Sequence, residues 1–312
     1  MLRFDHNELP YNAPYNQYPS ADLERLGEVW GKIEHIPPQC IYWCGSGSEQ
    51  AVDWCLRLFC RGKGQAAAFT PSRSLYRRRA QANFVDFQEF PLHSEDGFRL
   101  NADSFLRKVS PAVRLLFVCS PNNPTGTLAD TAEVERILSV FSGMVVVDES
   151  YMNRTQMQTL LPLMNKYSNL VILRSFSHTW NAAALRMAAL IAHPDVIERI
   201  KRMGYAHPLS LPQIEAATRL VRNIGEVYRW NRSLVEERER MAAALRELPS
   251  CMTVFPSAAN FLFVEFQNSS AVCQYLRKQD IAVKPYGRFL RIGILLPATN
   301  AALLAALRKG NL

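Results

Sequence analysis

The sequence predicts an α/β protein: a three-layer α/β/α large domain around a mostly parallel sheet, followed by a smaller α/β domain. Two observations carry this. Short, nearly all-apolar runs recur at residues 66–69, 115–119, 144–147 and 170–173, and a strand covered by helices on both faces reads as a continuous run rather than as alternation. Segments with helical spacing fall between these runs, and alternating strands and helices are the signature of a parallel sheet.

The elements follow in chain order. Residues 1–19, rich in Pro, Asn and Tyr, read as an extended arm. Residues 49–60 place Val52, Cys55, Leu56 and Phe59 on one helical face, with Ser46 and Glu49 spaced as a capping box. Residues 130–141 and 160–167 are expected to be helical, between the later apolar runs. Residues 226–248 form a long, charged helical pattern that leaves the first domain. A strand at 260–266, a helix at 270–279 and a strand at 289–294 complete the smaller lobe. The implied boundaries are 26–225 for the large domain, with 1–25 and 226–312 forming the arm and the small domain.

The 48% hydrophobic and 21% charged residues describe an ordinary globular chain, and no apolar run reaches the roughly 18 residues of a membrane span. No membrane partner is therefore expected. The first residues carry no apolar core or cleavage signature, so no signal peptide is expected. The seven cysteines show no paired metal-ligand spacing, which points to reduced thiols, a cytoplasmic setting and no metal site. The net charge of +8 includes the cluster Arg73, Arg77, Arg78 and Arg79, but no aromatic-interleaved basic motif accompanies it. Phosphorylated or carboxylate substrates fit this charge better than nucleic acid.

Four segments carry chemistry. Gly45-Ser46-Gly47-Ser48 opens a helix, where glycines admit a close ligand and free N–H groups attract phosphate. Residues 119–126 (Cys-Ser-Pro-Asn-Asn-Pro-Thr-Gly) follow a buried strand and place polar groups where α/β folds bind ligands. Asp148 ends the next apolar run, with Tyr151 three residues on, and a carboxylate there needs a partner for its charge. Ser175, Ser177, His178 and Arg186 follow the run at 170–173.

Together, Ser-Pro-Asn-Asn-Pro-Thr-Gly, Val-Asp-Glu-Ser-Tyr and Ser-Phe-Ser-His-x7-Arg resemble the class I/II aminotransferases of pyridoxal-phosphate (PLP) fold type I. The histidinol-phosphate aminotransferase branch is the most similar, and the resemblance runs from about residue 4 to the end of the chain. It implies a PLP-binding transaminase of amino acid biosynthesis acting on an amine or amino acid and a 2-oxo acid. It also implies a homodimer in which Tyr18 reaches the neighbouring subunit's cofactor phosphate. On the matching positions, Asp148 pairs with the pyridine nitrogen and Asn123 and Tyr151 bond the ring's 3-oxygen. Ser46, Gly47, Ser48, Ser175 and Arg186 hold the phosphate, with Ser177 beside them. Arg291 clamps a substrate anion, with Asn123 nearby, and Lys284 stands where the branch usually has a second phosphate-binding arginine.

Two departures bear on activity. His178 stands where the family has the lysine that bonds covalently to PLP. Imidazole cannot form that bond, but its ordinary pKa near ~6.5 suits a general base on a non-covalently held cofactor. Arg73 stands where the family has a tyrosine that stacks on the ring, and Tyr76 is the nearest aromatic substitute. Two functions stay open: a transaminase acting on a phosphorylated or carboxylated amine, with His178, Asp148 and Tyr151 as its catalytic set, and a catalytically inactive homologue that binds a ligand or a partner. Whether His178 is natural or introduced is also open.

Overall fold

The computed structural model describes residues 7–9, 11, 13, 15–156 and 159–310, so residues 1–6, 10, 12 and 14 of the expected arm lie outside the described residues. The large unit begins with α1 (Ser20–Glu34), β1 (Ile41–Cys44), α2 (Gly47–Phe59), β2 (Gln65–Thr70), α3 (Ser74–Ala82), β3 (Phe87–Pro91) and α4 (Ala102–Lys108). It continues through β4 (Val113–Cys119), α5 (Thr131–Val140), β5 (Met144–Asp148), β6 (Leu170–Ser175), β7 (Ala188–Ala192), α6 (Pro194–Met203) and α7 (Leu211–Arg222). The long α8 (Ile224–Arg246) leads to β8 (Cys251–Phe255), β9 (Phe261–Phe266), α9 (Ser269–Lys278), β10 (Lys284–Tyr286), β11 (Phe289–Gly293) and α10 (Pro297–Lys309).

The main sheet has seven strands in the order β1-β7-β6-β5-β4-β2-β3, and β7 alone runs antiparallel to both of its neighbours. Its inner strands read as unbroken apolar runs because both faces are covered. On β4, Leu116 and Val118 join one apolar cluster while Leu115 and Phe117 join another on the opposite face. On β5, Val145 and Val147 divide from Val146 in the same way. The second sheet, β10-β11-β9-β8, is wholly antiparallel and packs its own core with α8, α9 and α10. Helix α8 belongs to both units: Val227 packs into the main core, and Met241, Ala242 and Leu245 pack into the smaller one.

The four apolar runs lie within β2, β4, β5 and β6. Two local expectations fail. Residues 160–167 form only a short 3-10 turn, Leu161–Asn165, in which the N–H groups of Leu163 and Lys166 bond the carbonyls three residues before them. Ser46 and Glu49 do not make a capping box. The backbone N–H of Ser46 instead donates to the Gln50 side chain at 3.1 Å, and the Ser46 hydroxyl caps nothing.

A buried ionic cluster ties α1 to β6 and to the segment after β5. Glu34, at the end of α1, pairs with both Arg154 and Arg174, and all three are almost fully buried. Arg174 also reaches Glu149 at 3.0 Å, and Glu149 accepts the Leu160 N–H at 2.8 Å. Arg154 lies 4.6 Å over Trp180, which stacks on Phe176. Removing one member of such a cluster strands charge in the interior. Glu34→Ala should therefore cost about 3–5 kcal/mol, read as a lower urea midpoint with an unchanged m-value.

Candidate functional site

The carboxyl ends of β4, β5 and β6 open onto one cleft, as parallel sheets dictate for their ligands. Asp148, the last residue of β5, is fully buried and lies in register with Cys119 of β4. Four donors converge on its carboxylate. Arg73 and the Tyr76 hydroxyl (2.7 Å) donate to one oxygen, and the Ser150 N–H (3.0 Å) and hydroxyl donate to the other. Arg73 also donates to the Ser48 hydroxyl at 3.0 Å and to that of Ser150 at 3.3 Å. Burial opposes the charge on Arg73, but Asp148 beside it more than compensates, so the guanidinium is held firmly protonated. Tyr76 is fully buried and stacks on Phe117 at 4.8 Å, so it forms part of the floor rather than a free face for a ligand ring. Burial, then Asp148, pushes its hydroxyl pKa well up.

Above this floor, the Asn123 amide donates to the Tyr151 hydroxyl at 2.6 Å, and Arg291 donates to the Asn123 carbonyl at 2.7 Å. His178 stacks on Tyr151 with ring centres 4.4 Å apart. The Ser-Pro-Asn-Asn loop is latched to the Arg73 loop, since Asn122 donates to the Pro71 carbonyl at 2.9 Å and accepts from Ser72 at 2.7 Å. It is also latched to the smaller unit. Gly126 has a left-handed φ of 78°, its carbonyl accepts from Ala258, and a side chain there would collide with Ser257.

The resulting chamber, about 390 Å³, is lined by Ser48, Ser175, Ser177, His178 and Tyr286, with Arg73, Arg78, Arg186, Lys284 and Arg291 as its cations and Glu49 as its carboxylate. Gly47 has φ 71°, and an added Cβ would lie 2.9 Å from the Arg186 guanidinium, so only glycine lets that cation come so close to the start of α2. Lys284 and Arg291 face each other directly across β10 and β11. Like charges opposed on paired strands repel unless an anion sits between or near them. The free N–H groups at the start of α2 add to the same preference.

The structure thus brings together Ser48, Arg73, Asn123, Asp148, Tyr151, Ser175, Ser177, His178, Arg186, Lys284 and Arg291, with Gly47 and Tyr76 as their supports. Ser46 lies exposed just before α2, outside the chamber lining. Tyr18 is also outside it, 65% exposed and stacked on His207 at 4.2 Å. The sequence reading assigned no role to Ser150, which holds Asp148, or to Ser72 and Asn122, which latch the loops. Each is a short polar side chain beside a recognised motif residue, and that proximity was the available signal. A second cavity of about 660 Å³ meets the chamber at His178 and is lined by Trp230, Leu234, Ile294, Leu295 and Leu296. Among the described residues, no group of three or more His, Cys, Asp or Glu could hold a metal ion, and no helix is long and apolar enough to cross a membrane.

Residues 23–307 match the family model described as aminotransferase class I and II. A curated histidinol-phosphate aminotransferase from Bacteroides fragilis is 32% identical over 312 residues, covering 98% of this chain and 90% of that protein. The solved histidinol-phosphate aminotransferase of Clostridium acetobutylicum superposes with a TM-score of 0.86 at 19% identity, over 95% of this chain and 90% of its own. That of Sinorhizobium meliloti, solved in complex with pyridoxal-5'-phosphate, gives 0.80 at 18% identity, over 94% of this chain and 82% of its own. At these identities the two superpositions speak to the fold: a seven-stranded, mostly parallel sheet of PLP fold type I.

The pKa of His178 falls from 6.5 to about 4, chiefly through burial and then through Arg73, opposed by Asp148 and reinforced by Arg291 and Arg186. The imidazole is therefore neutral at pH 7. The residue is still more than a third exposed, which screens part of this effect. A histidine kept neutral by the fold contributes stability above its unfolded pKa and loses it as pH falls. Between about pH 6.5 and 4 the protein should lose stability on acidification, and in His178→Gln the same stretch of the urea-midpoint profile should be flatter. Gly47→Ala should weaken inorganic phosphate binding by about tenfold, read by calorimetry, because it displaces Arg186 and strains the backbone.

Proposed function

From the premise that this chain belongs to the class I and II aminotransferase family, we propose that it is an aminotransferase acting on a phosphorylated or carboxylated amine, with PLP held non-covalently and His178 moving the proton. The observation that carries this reading is the cationic chamber with neutral His178 at its mouth. Lys284, Arg291 and Arg186 have no use for one another's charge, and an anionic substrate and a cofactor phosphate relieve their repulsion.

The residues present fit PLP at its phosphate end, where Gly47, Ser48, Ser175 and Arg186 converge, and at its 3-oxygen, where Asn123 and Tyr151 lie within 2.6 Å of each other. The ring nitrogen's carboxylate, Asp148, is present but paired with Arg73. When bound, PLP supplies a ring that draws electrons from the carbon bearing the amine. The protein's own contributions are distinct. Arg291 orients a substrate carboxylate or phosphate through its planar fork, with Lys284 as a second point charge. Asn123 fixes Arg291 and Tyr151 at once. Neutral His178, held by its stack on Tyr151, would take the proton from the carbon bearing the amine and give it up on the cofactor side rather than return it to the same carbon.

The proposal extends to the assembly. Residues 26–225 act as the cofactor-binding domain, with 1–25 and 226–312 as arm and small domain. Exposed Tyr18 serves the chamber of a neighbouring copy in a homodimer. Seven free thiols suit the cytoplasm. Histidinol phosphate, the substrate in the names of similar proteins, carries both the amine and the phosphate this chamber calls for.

One observation favours a second reading, a catalytically inactive homologue that binds an anionic ligand or a partner: Asp148 is already neutralised from within. Incubation of the purified protein with PLP, histidinol phosphate and 2-oxoglutarate decides between them. Glutamate formation that falls about 10²–10⁴-fold in His178→Ala supports the enzyme. No glutamate, with histidinol phosphate still bound, supports the second reading. In an active enzyme, His178→Lys should make the cofactor fixable by borohydride, whereas the unsubstituted protein should release it on denaturation.

A further inference from the structure

We infer that Arg73 is an internal rival of the cofactor ring: its guanidinium occupies the position that a protonated ring nitrogen would take on Asp148, and it thereby sets which ligands the chamber holds. This rests on the reading above that the chamber takes PLP, and it goes further by naming the residue that limits occupancy.

The argument begins with the acceptor capacity of a carboxylate. An ionised Asp offers about four lone-pair sites. In Asp148 all four are used: one oxygen serves Arg73 and the Tyr76 hydroxyl, and the other serves the Ser150 N–H and hydroxyl. A ring N–H must therefore displace a donor. Tyr76 is fully buried and Ser150 lies 1% exposed beneath the chamber, with its N–H fixed by the backbone. Arg73 alone of the three lines the chamber. It is also the only one with a long side chain, and its backbone is fixed just before α3. Displacement has a defined destination, because the guanidinium already donates to Ser48 at 3.0 Å. A swing toward Ser48 brings it to the start of α2, where a phosphate would meet it.

Charge points the same way. The cofactor ring pairs with Asp148 as a cation, and two cations cannot share one buried carboxylate without mutual repulsion. Arg73 also sits 5.6 Å from the Tyr151 ring, so its guanidinium fills the space between the Asp148 floor and the Tyr151–His178 stack. With Arg73 in place, the chamber keeps its affinity for the phosphate of a ligand and gains nothing from a basic ring nitrogen.

The test uses the full chain with two ligands: PLP and benzyl phosphate, which carries the phosphate on an aromatic ring with no nitrogen. Affinities are read by equilibrium dialysis for the unsubstituted protein and for Arg73→Gln, Arg73→Ala and Arg73→Lys, with far-UV circular dichroism confirming the fold. Arg73→Gln and Arg73→Ala should bind PLP at least about tenfold more tightly, while benzyl phosphate affinity stays level or falls. Arg73→Lys, which keeps a cation beside Asp148, should stay close to the unsubstituted protein. As a second measurement, PLP should raise the melting temperature of Arg73→Gln more than benzyl phosphate does. PLP affinity that is unchanged or weaker in the folded glutamine and alanine variants overturns the inference. An equal gain for both ligands also overturns it, because the effect would then be space rather than competition for Asp148. Absence of turnover in the unsubstituted protein would sink the transaminase reading alone, since these readouts are of binding.

Discussion

The site depends on one constraint: a carboxylate buried at the end of a strand must have its charge and its lone pairs satisfied. Asp148 cannot reach water, so the structure around it is a set of donors brought from distant parts of the chain. Ser150 comes from the turn after β5, Tyr76 from within α3, and Arg73 from the loop before it. That loop is in turn latched through Asn122 to the end of β4. The positions of three connections thus follow from the need to neutralise a single side chain, and losing any one donor leaves an interior group uncompensated.

The chamber above has the opposite problem. Its floor is balanced, whereas its walls carry more positive charge than the one lining carboxylate offsets. Cross-strand opposition of Lys284 and Arg291 is a poor choice for folding and a good one for holding an anion. Arg186 adds to the strain, with a left-handed φ of 51° and its guanidinium against a glycine that leaves room for it. Local rules of sheet and backbone design are broken around this chamber, as expected where binding outweighs stability.

Strands β2, β4, β5 and β6 and the loops at their carboxyl ends were legible in the sequence because their signals are local. An apolar run followed by Asp148, or by Ser-Pro-Asn-Asn-Pro, needs no knowledge of the rest of the chain. Strands β1 and β7 were not legible: β1 has four residues and β7 is largely alanine, and they take their place through pairing across the fold, β7 with β6 and β1 with β7. The 3-10 turn at Leu161–Asn165 read as a helix because its apolar content suits one. The chamber's members could be named from motifs, but their pairings could not. Arg73 reads as a missing aromatic in the sequence, and only the fold places it on Asp148, 75 residues away. Glu34 meets Arg154 and Arg174 from 120 and 140 residues away, a pairing that no local pattern carries.

Helix α8 has a mechanical consequence. Asn231 sits on its first half and donates to the carbonyl of Thr179, the residue after His178, while also accepting from the Arg154 N–H. The second half of the same helix carries the antiparallel sheet on which Lys284 and Arg291 stand. Asn231 thus fastens the helix to the loop of His178 and to Arg154. The loop of His178 and the sheet that bears the two cations therefore share one support, and their separation is set by the length of a single helix.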